Sequence, residues 1–337
     1  MIKRKVAIIL YNLGGPNGED DIGPFLFNLF YDKNIINIPN PFRFLVAKFI
    51  SKSRKKEATK NYNKIGGKSP LLSNTLKQKE ALQNKLDKEQ YKVFVCMNFW
   101  HPMPDEVVDD VKNYNPSGII LLPLYPQFST TTTGSFLSKW EDARNKAGLV
   151  CEQKVVCCYY SQSNFITAYT NILRKFYASA ATDGKPFVVF IAHGLPEKIV
   201  KNGDPYQWQI ENTVKEIVKM ADIQGMEYIT CYQSRVGPMS WIKPYADEVI
   251  LKAAQENKII LVIPISFVSE HVETLVELDM EYKELAMHNG ARAYHRANTV
   301  GDDDIFIEGL KNIVINGVVK DVICPKEYCK CYRQANG

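Results

Sequence analysis

Apolar positions along this chain gather into short, unbroken runs. They are VAIILY (6–11), VFVCM (93–97), GIILLPLY (118–125), KVVCCYY (154–160), FVVFIA (187–192), EYITCY (227–232) and KIILVIPISF (258–267). Each is rich in β-branched residues and too short for a buried helix, which suits strands covered on both faces of a parallel sheet. Between them lie stretches with helical periodicity, such as NTLKQKEALQNKL (74–86) and YQWQIENTVKEIVKMA (206–221). The alternation predicts α/β units joined by right-handed crossovers.

The pattern repeats. VAIILYNLGGP is echoed by FVVFIAHGLP, and GIILLPLYPQFSTTTTGS by KIILVIPISFVSEHVETL, in the same order. Two echoes in one order predict two similar α/β halves. Ligands of such sheets bind beyond the carboxyl ends of the strands, so these four segments are expected to face one cleft between the halves.

One segment breaks the pattern. Residues 40–60, NPFRFLVAKFISKSRKKEATK, mix Phe42, Phe44, Leu45, Phe49 and Ile50 with Arg43, Lys48, Lys52, Arg54, Lys55 and Lys56. A basic amphipathic stretch of this kind suits an anionic membrane surface. The plainer alternative is a surface helix packed on its own domain.

Composition narrows the class. The chain has 337 residues, 45% hydrophobic and 23% charged, ordinary for a soluble globular protein of about two domains. No apolar stretch approaches the roughly 20 residues of a transmembrane helix. The opening MIKRKVAIILYNLGGP reads as a first buried strand of a cytosolic protein, because Gly14-Gly15-Pro16 is a turn rather than a cleavage site. A net charge of +5 is too mild to argue for nucleic acid. The eight cysteines are scattered, and those in KVVCCYY read as small buried hydrophobes. Only the tail CPKEYCKC, with Cys324, Cys329 and Cys331, has a spacing that suggests ligation.

Candidate chemistry collects after the last strand-like run. Glu270, Glu273, Glu277 and Glu281 crowd into about three helical turns, with His271 among them. Glu273, Glu277 and Glu281 are spaced i, i+4, i+8 and line one helix face. Carboxylates crowded in a cleft raise one another's pKa values, which permits proton transfer near neutral pH and attracts a divalent cation. A solvated helix face is the alternative. His193, in AHGLPEKIVKNGDPY, ends a strand where Gly194 and Pro196 turn the chain; a neutral imidazole there can accept a proton or bind Fe²⁺ or Zn²⁺. Neither GxxxxGK[ST] nor GxGxxG is present, so nothing favours a nucleotide.

These segments together resemble the ferrochelatases, which insert Fe²⁺ into a porphyrin in haem synthesis. The likeness covers almost the whole chain through six ordered blocks: LYNLGGP, YNKIGGKSPL, LYPQFSTTTTGS, HGLP with GDPY, YQSRVGPMSW and FVSEHVETL. It implies two Rossmann-like, chelatase-type halves: residues 1–160 with a lip segment at about 40–60, completed by a helix over 302–320, then residues 161–301, and a cysteine-bearing tail over 321–337. It implies that His193 and Glu273 stand on opposite faces of the porphyrin as catalytic and metal-binding residues. Glu277 and Glu281 would continue as a metal or proton path, with His271 beside it. Arg54 would meet a propionate, and Leu13, Tyr62, Ser69, Tyr125 and Trp241 would line the porphyrin pocket.

The likeness also implies a porphyrin substrate, Fe²⁺ as the metal substrate, a peripheral attachment to an anionic membrane from the cytoplasm, and a monomer or homodimer. Some members hold a [2Fe–2S] cluster on C-terminal cysteines. Such a cluster needs a fourth thiolate, and its expected place in the PQFS segment is Thr130 here. Three positions depart from the family pattern: Asn98 for a usual Arg, Ile191 for a Ser, and Phe128 for a Tyr. Leu13, where coproporphyrin users often carry a ring hydroxyl, points toward protoporphyrin. A cobalt-inserting chelatase for polycarboxylate tetrapyrroles would want a more basic pocket, and a non-catalytic haem carrier would need no acidic ladder.

Overall fold

The computed structural model describes residues 4–235, 237, 239–317 and 324–332. The last residues of the helix expected over 302–320, which runs Asp304–Asn316, and both ends of the tail 321–337 lie outside these residues, as do Val236 and Pro238 of the YQSRVGPMSW block. The chain divides into two compact units, Met1–Cys158 with Leu310–Val318, and Tyr159–Gly309 with Val319–Gly337.

The first unit is built on four parallel strands: β1 (Val6–Asn12), β2 (Tyr91–Met97), β3 (Gly118–Pro123) and β4 (Glu152–Val155), in the order β2-β1-β3-β4. The second is built on β5 (Pro186–His193), β6 (Glu227–Gln233), β7 (Ile259–Pro264) and β8 (Ala293–Arg296), in the order β6-β5-β7-β8. The two orders are the same pattern, so the echoed sequence segments occupy equivalent places: β1 with β5, β3 with β7. β3 and β7 are fully buried along their length, and β1 and β5 nearly so. Each buried Val, Ile or Leu contributes about 1.5–3 kcal/mol relative to exposure. Helices cover the sheets; Phe136 and Trp140 pack on Ala7, Ile9 and Tyr11 in the first core, and Ile250, Leu278 and Tyr282 pack on Val189, Ile191 and Val262 in the second.

Three features differ from expectation. The strand expected over 154–160 stops at Val155, although Val156–Tyr160 stay buried. The Val156 N–H still reaches the Leu121 carbonyl at 2.9 Å, but Pro123 has no N–H to carry the ladder further. β8 carries no apolar run, since all four of its residues are only half-buried at the sheet edge. The segments after β3 and β7 are not α-helical at first but π-helical, at Thr130–Gly134 and Glu273–Glu281. π-Turns are rare and concentrate at functional sites, and here they recur at the same place in both units.

The 40–60 segment forms one helix, Phe42–Asn63. Ala47 and Ser51 are buried, and Phe44 meets the rings of Phe27 and Tyr31 at 5.4 and 6.0 Å. Phe42, Leu45 and Phe49, spaced i, i+3, i+7, remain 63%, 60% and 74% exposed. Among the described residues no helix is long and apolar enough to cross a membrane.

Candidate active site

Polar side chains converge at the carboxyl ends of β5, β6 and β7 in the second unit. β5 ends at His193. Its backbone N–H donates to Ser266 Oγ at 3.0 Å, and its carbonyl accepts the Tyr206 hydroxyl at 3.0 Å. These two bonds fix the strand end, so the imidazole is aimed from a rigid support. The π-helix after β7 brings Glu273 to it: Glu273 Oε2 lies 2.9 Å from His193 Nδ1. His271, buried against the Phe267 ring at 4.3 Å, places Nε2 3.7 Å from the same oxygen, an electrostatic neighbour rather than a hydrogen-bond partner.

The resemblance implies opposite faces of a porphyrin for His193 and Glu273; in this structure the two side chains are in direct hydrogen-bond contact. The sequence gives the strand end and the helix but not the π-turn, which brings the first glutamate onto the imidazole.

β6 supplies the rest. Gln233 Nε2 reaches Glu277 Oε2 at 3.0 Å and Glu273 Oε2 at 3.4 Å, bridging the two carboxylates. Ser234 donates to Glu277 from its hydroxyl at 2.7 Å and its N–H at 3.2 Å, and Tyr282 donates to Glu277 Oε1 at 2.8 Å. Ser234 adopts φ +64°, a left-handed conformation that costs a non-glycine residue energy and clusters at functional sites. Gln233 is 2% exposed, and among the described residues its Oε1 has no hydrogen-bond partner. Gln233 and Ser234, within YQSRVGPMSW, carry no role in the sequence reading; their only signal is two polar residues directly after the apolar run 227–232.

The charges follow from this arrangement. Burial works to lower the His193 pKa, but the charge and hydrogen bond of Glu273, with Glu277 behind, outweigh it and the net shift is upward. Burial works to raise Glu273, yet His193 and His271 hold its carboxyl well below the usual range. Burial and the Glu273 charge push Glu277 up despite its bonds to Ser234 and Tyr282. Two neighbouring carboxylates are thus driven apart, the pattern that separates a fixed anion from a proton carrier. Glu273 and Glu277 are half-buried while Glu281 is exposed, so the row runs outward. Glu270 leaves the row and pairs with Arg296.

Other expected residues are placed as follows. Trp241 is buried against Gly194, where its Cε3 would lie 3.3 Å from an added Cβ. In the first unit, Ser69 is buried beside Gly15, receives the Leu71 N–H at 3.2 Å and gives its own N–H to Pro16. Tyr62 is buried at the end of the 42–63 helix. Leu13 is half-buried, with its N–H on Asn12 Oδ1. Tyr125 stands edge-on to Tyr11 at 6.3 Å, its buried hydroxyl without a hydrogen-bond partner among the described residues. Arg54 lies 5.9 Å from the Phe30 ring centroid.

Asn98 is buried. It gives its side-chain N–H to Ser135 Oγ at 3.1 Å, and its carbonyl accepts Lys139 Nζ at 3.0 Å. Lys139 also pairs with buried Asp32 at 3.3 Å. Ile191 belongs to the second core, and Phe128 is buried.

The tail cysteines do not fit a cluster. Cys324 Sγ accepts from Gln209 Nε2 at 3.1 Å, Cys329 is exposed beside Asn202 and Gly203, and Cys331 is buried. Among the described residues no three His, Cys, Asp or Glu side chains converge in a way that could hold a metal ion.

Comparison with known proteins agrees with the ordered blocks. Residues 5–318 match the family described as Ferrochelatase. A protein named Ferrochelatase from Wolbachia sp. subsp. Drosophila simulans (strain wRi) is 48% identical over 315 residues, 93% of this chain and 99% of that protein. Proteins of the same name from Rickettsia felis and Pelagibacter ubique are 47% and 43% identical, over 98% and 97% of this chain and 98% of each of those proteins. Among solved structures, the sirohydrochlorin chelatase SirB from Bacillus subtilis subspecies spizizenii shares the fold at 11% identity with a TM-score of 0.53, covering 91% of this chain and 93% of that one.

Proposed function

The chain belongs to the ferrochelatase family, and we propose that it inserts Fe²⁺ into protoporphyrin IX, forming protohaem and releasing two protons. The observation that carries this reading is the His193–Glu273 contact with Glu277 and Glu281 leading away from it. A free-base porphyrin gives up two pyrrole protons as it gains the cation. Glu273 occupies His193 Nδ1 and so fixes the tautomer, as the carboxylate of a hydrolase triad does, which leaves Nε2 to accept a pyrrole proton. Glu277, with its raised pKa, takes protons onward, and exposed Glu281 passes them to solvent. The same anionic row draws Fe²⁺ inward. Leu13, Arg54, Tyr62, Ser69, Tyr125 and Trp241 are proposed to shape the porphyrin pocket.

We also propose that the 42–63 helix rests on an anionic membrane surface from the cytoplasmic side, as an apolar substrate would require. Its support is the exposed stripe of Phe42, Leu45 and Phe49 beside exposed Lys48, Lys52, Lys55 and Lys56.

The test is Fe²⁺-dependent loss of free-porphyrin absorption under anaerobic conditions, with protoporphyrin and coproporphyrin side by side. Turnover above one per chain with protoporphyrin supports the proposal. Stoichiometric binding without turnover would instead mark a carrier, and preference for coproporphyrin would move the substrate.

A further inference from the structure

At the start of the π-helix that delivers Glu273 and Glu277, Val272 makes no side-chain cap bond, and the local side-chain tie there is Thr274 Oγ1, which accepts the His271 N–H at 3.0 Å. The π-helix is held from β8, the edge strand that carries no apolar run. Arg296, 9% exposed, donates from Nη1 to Glu270 Oε1 at 2.6 Å, three residues before the π-helix begins. The same guanidinium grips Asp279 within the π-helix, from Nε to Oδ1 at 2.6 Å and from Nη2 to Oδ2. Two residues earlier on the strand, and therefore on the same side of it, Tyr294 donates its hydroxyl to the Leu278 carbonyl at 2.7 Å.

That second bond falls at a telling place. The Tyr282 N–H reaches the Glu277 carbonyl, five residues back, and an α-helix begins at Tyr282. Where a helix passes from i→i−5 to i→i−4 bonding, one carbonyl is skipped. The carbonyl next in line after Glu277 is that of Leu278, and the Tyr294 hydroxyl fills it. Glu270 is tied a second time, to the Thr299 N–H at 2.9 Å. Burial works to raise the Glu270 pKa, but Arg296 keeps it lowered, so the clamp is charged on both sides.

We propose that Arg296 is a positioning residue, which with Tyr294 holds the π-turn register by pinning Glu270 ahead of it and Asp279 within it. That register sets Glu273 on His193 and Glu277 on Gln233 and Ser234. An α-helical relaxation of 273–281 would rotate both glutamates about the axis and separate these contacts. The proposal rests on the reading of His193 and Glu273 as the reacting pair. It adds that their geometry is imposed from a strand that touches neither of them.

The experiment compares Asp279→Asn, Tyr294→Phe and Arg296→Lys with the parent protein. Circular dichroism and thermal unfolding establish that each variant folds; Asp279→Asn and Tyr294→Phe preserve shape and serve if Arg296→Lys does not. Two readouts follow. The first is steady-state metal insertion, where a misplaced pair lowers kcat by about ten- to a hundredfold while the porphyrin KM changes by less than about twofold. The second needs no activity: the downfield Nδ1–H proton resonance of His193, which reports its bond to Glu273, weakens or moves upfield in each folded variant. Folded variants with an unchanged resonance and unchanged kcat overturn the clamp. If the parent inserts no metal but the resonance still shifts in the variants, the clamp stands and the assigned reaction falls.

Discussion

Glu273 Oε2 and His193 Nδ1 share a hydrogen bond of 2.9 Å, and that bond makes the two residues one unit. An imidazole oriented by a carboxylate presents a defined tautomer. The same imidazole without it samples both. His193→Ala is therefore expected to lower turnover by about 10²–10⁴-fold, and Glu273→Gln by a comparable factor, with porphyrin binding retained by fluorescence titration. The effects should not multiply, because residues acting as one unit are non-additive. Glu281→Gln, on the exposed end of the row, should cost far less than either. A double variant as impaired as the product of the singles would break the pair into independent groups.

The pair also sets a pH window. His193 has its folded pKa raised above 6.5, so its contribution to stability is complete below that value and is lost as pH rises through the folded pKa. Glu273 has its folded pKa depressed below 4.5, so its contribution is present above that value and is lost as pH falls through the folded pKa. Both hold between pH 4.5 and 6.5. With the side chains 37% and 26% exposed, solvent limits the gain to about 1 kcal/mol or less. Denaturant unfolding should show Glu273→Gln to be more destabilising at pH 5.5 than well above neutrality. A difference that grows with pH would reverse the assigned charges.

Much of this was legible in the chain. Apolar runs 6–11, 118–125, 187–192 and 258–267 mark central strands because burial on both faces leaves no polar alternation to confuse the period. The echo of VAIILYNLGGP in FVVFIAHGLP corresponds to equivalent strands in two like-ordered sheets. β8 was not legible, since AYHR at an edge has no apolar signature. The π-turn was not legible either: i, i+4, i+8 spacing serves α- and π-helix alike, and the register depends on Arg296 and Tyr294, which arrive from a strand without an apolar run. For the same reason the direct contact of His193 with Glu273 was not legible in the spacing.

The exposed lip predicts a lipid dependence. Each basic residue near an anionic surface contributes about 1 kcal/mol, and Lys48, Lys52, Lys55 and Lys56 are all exposed beside the apolar stripe. Flotation should recover the protein with vesicles containing anionic lipid and not with neutral ones. Replacing Phe42, Leu45 and Phe49 together by Ser should reduce recovery without changing the melting temperature, because all three are largely outside the core. Equal recovery with both vesicle types would remove the membrane from the account.

The tail cysteines predict a negative result. With Cys324 engaged by Gln209, Cys329 exposed and Thr130 where a further donor is expected, protein purified anaerobically should be colourless and carry no stoichiometric iron or sulfide. Visible absorption with iron and acid-labile sulfide near two per chain would require the tail to rearrange.

Gly194 offers the most local test of how backbone supports chemistry. It follows His193 and donates its N–H to the Gln233 carbonyl at 2.9 Å, so two site-bearing strand ends meet there. A Cβ at this position would lie 2.8 Å from that same carbonyl oxygen and 3.3 Å from Trp241. Backbone cannot swing aside as a long side chain can, so Gly194→Ala must push β5 and β6 apart at their ends. Overpacking of this kind typically costs about 1–3 kcal/mol. The larger effect should fall on activity, because the displaced residue is Gln233, which bridges Glu273 and Glu277. Gly194→Ala is thus expected to fold with a modestly lowered melting temperature and a disproportionate loss of kcat. Gly225→Ala, where an added Cβ meets nothing but φ is +67°, provides the control: backbone strain with no neighbour to displace. It should lower stability while leaving kcat intact. Equal activity in the two variants would mean that the contact between the β5 and β6 ends does not hold the site.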